Sequence, residues 1–400
     1  MSRNVPKLRF KGFEDEWKEK SFKDIFNGFE YGMNSAAVEF DGKNRYIRIT
    51  DIDDRNSKYK SKNPVSPEGI LEDKYLVKSN DILFARTGAS VGKTYLYDKE
   101  DGKLYFAGFL IRGNVNCENN AKFIFTQTKT LNYEKWVKVM SMRSGQPGIN
   151  SQEYSSYKIK VPSLQEQEKI ANFLSKVDSI IEKQEKKVEY WNSYKKGMMQ
   201  KIFSQKIRFK DENGRDYPEW QKKKLGNVCL MFSGGTPASK NKIYYDGDIP
   251  FIRSAEINSF TTELKISELG LKNSSAKIVD KGDLLYALYG ATSGEVGIAR
   301  MKGAINQAIL CIRSKEIINC YLLNLLQYNK EKIIETYIQG GQGNLSASIL
   351  KELNFDFPCL EEQTKIANFL SNIDNIIEKE SKKLEELKQW KKGLLQQMFV

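Results

Sequence analysis

The reading of the chain turns on QEKIANFLSKVDSIIEK, residues 167–183. Residues 363–379 repeat it as QTKIANFLSNIDNIIEK, with only four of seventeen positions changed. A segment written twice points to one structural unit used twice. Working outward, other landmarks recur in the same order. SGQPGIN (144–150) is matched by GGQGNLS (340–346), and Pro162 by Pro358. DILFARTGASVGKT (81–94) aligns with DLLYALYGATSGEV (283–296), and NRYIRITDI (44–52) with IPFIRSAEI (249–257). LRFKGFEDEW (8–17) aligns with IRFKDENGRDYPEW (207–220). Each half is therefore a divergent globular unit followed by a nearly invariant segment.

The invariant segments have no internal proline and little glycine. Their apolar residues alternate in steps of four and three, the spacing of a coiled-coil seam. The seam begins with Ile170, Leu174, Val177 and Ile181 in the first copy and with Ile366, Leu370, Ile373 and Ile377 in the second. Its polar interruptions also match, Gln184 with Glu380 and Lys195 with Lys391. An antiparallel pair is expected to bring Glu380 to Lys195 and Gln184 to Lys391. A helix of about 40 residues spans roughly 55–60 Å, long enough to act as a rod between two globular units.

Composition narrows the function. The chain has 400 residues, a net charge of +13 and a pI near 9.2, which suggests a polyanionic partner, most simply nucleic acid. There is no histidine, so Ser-His-Asp and Cys-His catalysis and histidine zinc sites are excluded. Five cysteines without a CxxC pair fit free thiols in a reducing, cytoplasmic setting. No apolar run of about 18 residues is present, so no membrane span is expected. The opening MSRNVPKLRFKG has no apolar core of the kind a secretion signal carries.

FARTGASVGKT (84–94) looks like a phosphate-binding loop, but the spacing is wrong. Four residues must separate the first glycine from the Gly-Lys-Ser/Thr end. Gly88 and Gly92 enclose three, and Thr87 stands where the glycine is needed. In the second copy Lys93 becomes Glu295 and Thr94 becomes Val296, while the glycines persist as Gly290 and Gly294. Both halves thus keep a glycine turn after an apolar strand, with different side chains on it. Short β-type runs (NRYIRI, DILFA, FAGFLIR; IPFIR, DLLYAL, QAILCIR) precede helical patches LNYEKWVKVM and IINCYLLNLLQY, so each half reads as a small α/β unit. Aromatic and basic residues interleave in both, and the Gly/Gln/Asn-rich loops 144–150 and 340–346 suit contacts to base edges.

In this order, and twice over, the landmarks resemble the specificity subunit of type I restriction-modification systems. The resemblance covers essentially the whole chain. Its most specific marks are PSLQEQEKIANFLSKVDSIIEK and PCLEEQTKIANFLSNIDNIIEK, each opening a conserved-region helix. RFKGFEDEW and YPEWQKKKLGNV are similar to the family's domain openings. The resemblance implies a mixed α/β (α+β) fold. Target-recognition domains would occupy 1–163 and 207–360, and long helices 164–206 and 361–400 would pair as an antiparallel coiled coil. It further implies that each domain reads one half of a split site in double-stranded DNA. The helix pair would set the unread spacer and hold two modification (methyltransferase) subunits. Restriction (endonuclease/translocase) subunits, where present, would join them. S-adenosylmethionine and ATP are expected on those partners, and no cofactor on this chain. That agrees with the lack of an Asn/Asp-Pro-Pro-Tyr/Phe methyltransferase signature.

Under this reading the candidate DNA contacts in the first half are Arg48, Arg86, Thr87, Ser90, Lys93, Arg143, Gln146 and Asn150. In the second half they are Arg253, Ser254, Tyr289, Thr292, Ser293, Gln342, Asn344 and Ser346. Arg48 and Arg253 occupy matching places at strand ends, which also suits a structural or backbone-positioning role. The residues alone leave two other readings open, a standalone two-headed DNA-binding regulator and a coiled-coil adaptor.

Overall fold

The computed structural model describes residues 4–142, 147–337 and 344–400. Each repeated segment is one long helix, Leu164–Phe203 and Leu360–Met398. The repeat of their first turns has a physical cause. Arg9 donates from Nε and Nη2 to both oxygens of Glu166, each at 2.8 Å, and that carboxylate is 1% exposed. The next residue, Gln167, donates to the Pro162 carbonyl at 3.1 Å and accepts the Asn120 N–H at 3.0 Å. The second half repeats the arrangement. Arg208 donates to Glu362 at 3.3 and 2.9 Å, and the Trp220 indole adds a third bond at 3.0 Å. Gln363 donates to the Pro358 carbonyl and accepts the Ile318 N–H, both at 3.0 Å. The Arg-Phe-Lys opening, the proline and the Glu-Gln pair, far apart in sequence, are thus parts of one junction.

The chain forms two compact units, Met1–Gln184 with Lys383–Val400, and Glu185–Lys382. Each long helix therefore passes from one unit into the other. In the second unit the helices run antiparallel. Lys187 bonds Glu380 at 2.7 Å, and Lys195 bonds Asp374 at 2.7 Å. In the first unit Lys391 pairs with Asp178 at 2.5 Å, and Trp390 meets Phe173 edge-on at 6.4 Å. These partners correct the expected layers. Lys195 is taken by Asp374 and not by Glu380, and Lys391 by Asp178 and not by Gln184. Pairing Lys195 with Glu380 would require a slip of six residues, about 9 Å along the axis.

Apolar burial decides this register. Ile170, Leu174, Val177 and Ile181 are buried, as are Ile366, Leu370 and Ile373, while Ile377 is half-buried. Ile366, Leu370 and Ile373 also pack into the second domain's core with Leu322 and Leu325, joined by Met199 and Ile202 from the far end of the first helix. In the first unit Phe399, beyond the end of the second helix, packs on Trp17 and Phe123 at 6.2 and 5.4 Å. Each domain is sealed by the start of its own helix and the end of the other.

Both domains carry the same four-stranded antiparallel sheet. In the first the order is Phe26–Tyr31, Leu110–Val115, Asp81–Ala85, Thr94–Leu96. In the second it is Leu230–Ser233, Ile309–Arg313, Leu284–Ala287, Val296–Ile298. Asp81–Ala85 and Leu284–Ala287 are buried along their whole length, which is why Ile82–Ala85 and Leu284–Ala287 read as unbroken apolar runs. A parallel pairing not foreseen from sequence joins Arg45–Ile47 to Leu104–Phe106, and Ile249–Ile252 to Gly303–Ile305. Strands Lys18–Ser21 and Lys158–Val161 pair at the base of the first domain, and Gln221–Lys224 and Asn354–Phe357 at the base of the second. Each domain thus closes on its own beginning immediately before the helix starts.

Glu362 is fully buried, so Arg208→Ala leaves its carboxylate without a cation. The expected loss is about 3–5 kcal/mol, read as a lowered urea midpoint. Asp374→Ala removes a pairing whose carboxylate is 44% exposed and is expected to cost less than about 1 kcal/mol. Equal losses from the two variants would contradict the junction's special role.

Candidate nucleic-acid interface

The turn after each central strand is built alike in the two halves. Ala85 donates to the Lys93 carbonyl at 2.8 Å, and Gly92 donates back to Ala85 at 3.0 Å. Ala287 and Glu295, with Gly294, repeat these bonds at 2.8 and 2.9 Å. Gly88, Gly92, Gly290 and Gly294 all have φ between +74° and +88°, a region in which a side chain is strained. At Gly92 and Gly294 space is a second constraint. A Cβ there would lie 2.4 Å from Val137 and 2.8 Å from Ile334, both on packed helices.

The glycines therefore serve backbone shape and helix packing. Lys93 does not point at an anion site. It donates to the Ile52 carbonyl at 3.2 Å and pairs with Asp54. Its counterpart Glu295 pairs with Lys330 at 2.5 Å.

Each turn is bonded to the segment that leads towards the long helix. Gly88 donates to the Pro147 carbonyl at 3.0 Å, and Ile149 donates to Arg86 at 2.9 Å. Leu345 donates to Leu288 at 3.1 Å in the second half. The two loop regions singled out from sequence are thus neighbours in space within each domain.

The individual candidates fall into distinct roles. Arg48 and Arg253 fold back on a carboxylate three residues later, Asp51 at 2.8 and 2.9 Å and Glu256 at 3.3 and 3.4 Å. The same carboxylates accept the arginines' own backbone N–H groups. Arg253 also pairs with Glu263. Asn150 caps the helix Ser151–Ser156 by accepting the Glu153 N–H at 2.9 Å, and Ser346 caps Ala347–Glu352 through the Ile349 N–H at 3.3 Å. Ser293 donates to the Leu288 carbonyl at 3.1 Å, inside its own turn. Ser254 begins the single turn Ser254–Glu256, and Tyr289 packs against the second domain's core.

Thr87 bridges to Gly148, while Ser90 and Thr292 accept backbone N–H groups within their turns. Asn344 is exposed. Among the described candidates, Arg86 alone projects its guanidinium onto an aromatic ring, 5.0 Å from the centroid of Tyr31. Arg143, Gln146 and Gln342 lie outside the described residues. Tyr31 was not singled out from sequence, because it ends a strand and carries no motif. Only the fold brings it to Arg86 and to Ser151, whose N–H it accepts at 3.2 Å.

Burial pushes the Cys229 and Cys311 thiols up to about 11 and about 12, the reverse of what an activated nucleophile needs. Among the described residues no helix is long and apolar enough to cross a membrane.

The family described as the type I restriction modification DNA specificity domain matches residues 14–190 and again 217–389. The chain belongs to this type I specificity family. Each matched stretch takes in a glycine turn, the closing loop and much of a long helix. Over 98% of its length the chain is 28% identical to a putative type I restriction enzyme MjaX specificity subunit of Methanocaldococcus jannaschii, covering 95% of that protein. It is 27% identical to the MjaVIII specificity subunit of the same organism, over 82% of this chain and 80% of the relative. The fold is similar to the crystal structure of a type I restriction-modification S subunit from M. genitalium, with a TM-score of 0.63, 17% identity and 99% of both chains covered.

The two specificity domains differ beneath the glycine turn. The first holds a half-buried lysine, Lys129. It donates to Thr94 Oγ1 at 2.6 Å and Ser57 Oγ at 2.7 Å, and lies 4.4 Å from the Phe125 ring centroid. Thr94 corresponds to Val296, so the second domain lacks this hydroxyl. Burial, with repulsion from Lys391 and Lys93, pushes the Lys129 ammonium down to about 7. The unfolded chain keeps this proton to about pH 10. The folded state therefore holds fewer protons between pH 7 and 10, and Lys129 makes stability rise with pH across that window. Thermal midpoints of wild type and Lys129→Met are expected to diverge from pH 7 to 9.5, wild type gaining. Parallel curves would show that the ammonium stays charged in the fold.

Proposed function

We propose that this chain is the non-catalytic, DNA-reading subunit of a type I restriction-modification complex. Each specificity domain reads one half of a bipartite duplex target. The paired helices set the unread spacer and dock two modification subunits, with restriction subunits joining where they exist. Those partners carry S-adenosylmethionine and ATP. The observation that carries this reading is the duplication itself. Strand order, turn glycines and helix junctions are kept in both domains, while the side chains on the turns are replaced. That is the pattern of one scaffold used to read two different sequences. Relatives matching 98% and 82% of the chain are named as a putative specificity subunit and a specificity subunit, in agreement with it.

The physical chemistry is consistent. A net charge of +13, with exposed Lys62, Lys78, Lys240 and Lys242 on the two domains, supplies sequence-independent attraction to phosphates. Such binding should weaken by on the order of a thousandfold or more between about 50 and 200 mM salt. Two reading domains joined by rods accept half-sites only at a set separation, as dimeric helix-turn-helix proteins do.

The test is a methylation map. The chain is expressed with the modification subunit encoded beside it in a host lacking adenine methylation, and methyladenine is located by sequencing. The expected result is a split motif of two short halves with a fixed spacer. No methylation from a soluble, co-purifying complex would overturn the proposal, and tight specific binding by the chain alone would favour a standalone regulator. Inserting one heptad in each helix adds about 10 Å. It is expected to lengthen the recognised spacer by up to about three base pairs or abolish recognition of the native site. An unchanged target would refute the ruler.

A further inference from the structure

Arginine reads guanine because its planar fork matches the O6 and N7 acceptors of the major-groove edge. That requires a fork free of other partners and a plane held in place. Of the eleven arginines among the described residues, nine have the guanidinium bonded to a carboxylate or a backbone carbonyl. This leaves Arg86 and Arg300. Among the described residues their guanidinium groups make no hydrogen bond or ion pair. Each instead sits over an exposed aromatic ring, Arg86 at 5.0 Å from the Tyr31 centroid and Arg300 at 5.3 Å from the Phe260 centroid. Tyr31 is 41% and Phe260 75% exposed. One such pair occurs in each domain.

Both pairs are built into the fold. Arg86 is clamped through its backbone, donating to Phe109 at 3.1 Å and accepting from Ile149 at 2.9 Å. The Tyr31 hydroxyl is fixed by Ser151, whose N–H and Oγ both lie at 3.2 Å. Phe260 rides on the loop closed by Arg253, Glu256 and Glu263, where Glu256 accepts the Glu263 N–H at 2.8 Å. That loop also crosses Gly297 closely, a Cβ there falling 2.4 Å from Asn258. Arg253 therefore shapes the loop that presents the second pair. A phosphate takes a cation in almost any orientation, so lysine serves it well. A ring beneath a guanidinium fixes a plane, which only bidentate recognition needs.

We propose that Arg86 on Tyr31 and Arg300 on Phe260 are base-reading arginines, each presenting its fork to a guanine in the half-site of its own domain. The assignment rests on the DNA-reading function proposed above. The test repeats the methylation map with Arg86→Lys and Arg300→Lys, which keep the charge and remove the fork. Arg86→Lys is expected to relax one G·C pair in one half-site, discrimination there falling roughly 5- to 150-fold, with the other half-site unchanged. Arg300→Lys is expected to do the same in the opposite half-site. Tyr31→Leu, which removes only the support, should loosen the same base as Arg86→Lys.

Unaltered motifs in all three variants would overturn the assignment. So would a uniform fall in methylation with the motif intact, the mark of a phosphate contact. A wild-type complex that yields no split motif would overturn the DNA-reading function itself, and with it this assignment.

Discussion

The buried Arg–Glu pair at the start of each long helix is the constraint on which the rest of the molecule depends. Glu166 and Glu362 are almost wholly removed from water, and a buried carboxylate is tolerable only when its cation and remaining hydrogen bonds are in place. Arg9 and Arg208 supply the cation from the opening segment of each domain, and the adjacent glutamines tie the helix to the strand-ending proline and to the domain's own helices. The domain's beginning, its end and its helix are therefore fastened at one point. This gives the near-identity of the two Glu-Gln segments a local cause. Glu166 and Glu362 each hold an arginine, and Gln167 and Gln363 each hold backbone groups, so a change at these positions leaves a buried charge or polar group unsatisfied.

From that junction the helices take their register through apolar burial. The seam residues nearest the junction belong to the domain cores as much as to the helix pair, and the far end of each helix fills the other unit's core. Charges then settle onto whatever the register offers. Lys195 meets Asp374 and Lys391 meets Asp178, six residues away from the polar layers a seam diagram suggests. Half-exposed ion pairs contribute too little to move a helix about 9 Å against several buried isoleucines and leucines.

The glycine turns separate a kept backbone from replaced side chains. The glycine turns are shaped by backbone hydrogen bonds and by close helix packing, so they persist while Lys93 gives way to Glu295 and Thr94 to Val296. Several polar residues that look like DNA contacts in sequence are occupied within the fold. Arg48 and Arg253 close their own turns, and Asn150 and Ser346 cap short helices. Among the described residues, the two arginines left without polar partners, Arg86 and Arg300, each rest on an exposed aromatic ring. Stacking orients a guanidinium without using its donors, so the fork is held and still available.

The sequence by itself determined the duplication, the two long helices, the buried central strands and the glycine turns. These are local or periodic features, each announced by the spacing of apolar residues or by a backbone that only glycine adopts easily. The turn and the loop that follows it were legible as candidates for the same reason. Only the tertiary structure decided which arginine is bound and which is free, since that depends on partners far away in the chain. Glu166 lies 157 residues from Arg9, and Phe260 reaches Arg300 only because the parallel strand pairing and the Arg253 loop bring them together. Long-range ion pairs, helix register and aromatic support are set by which surfaces are buried together, and no spacing rule along the chain encodes that.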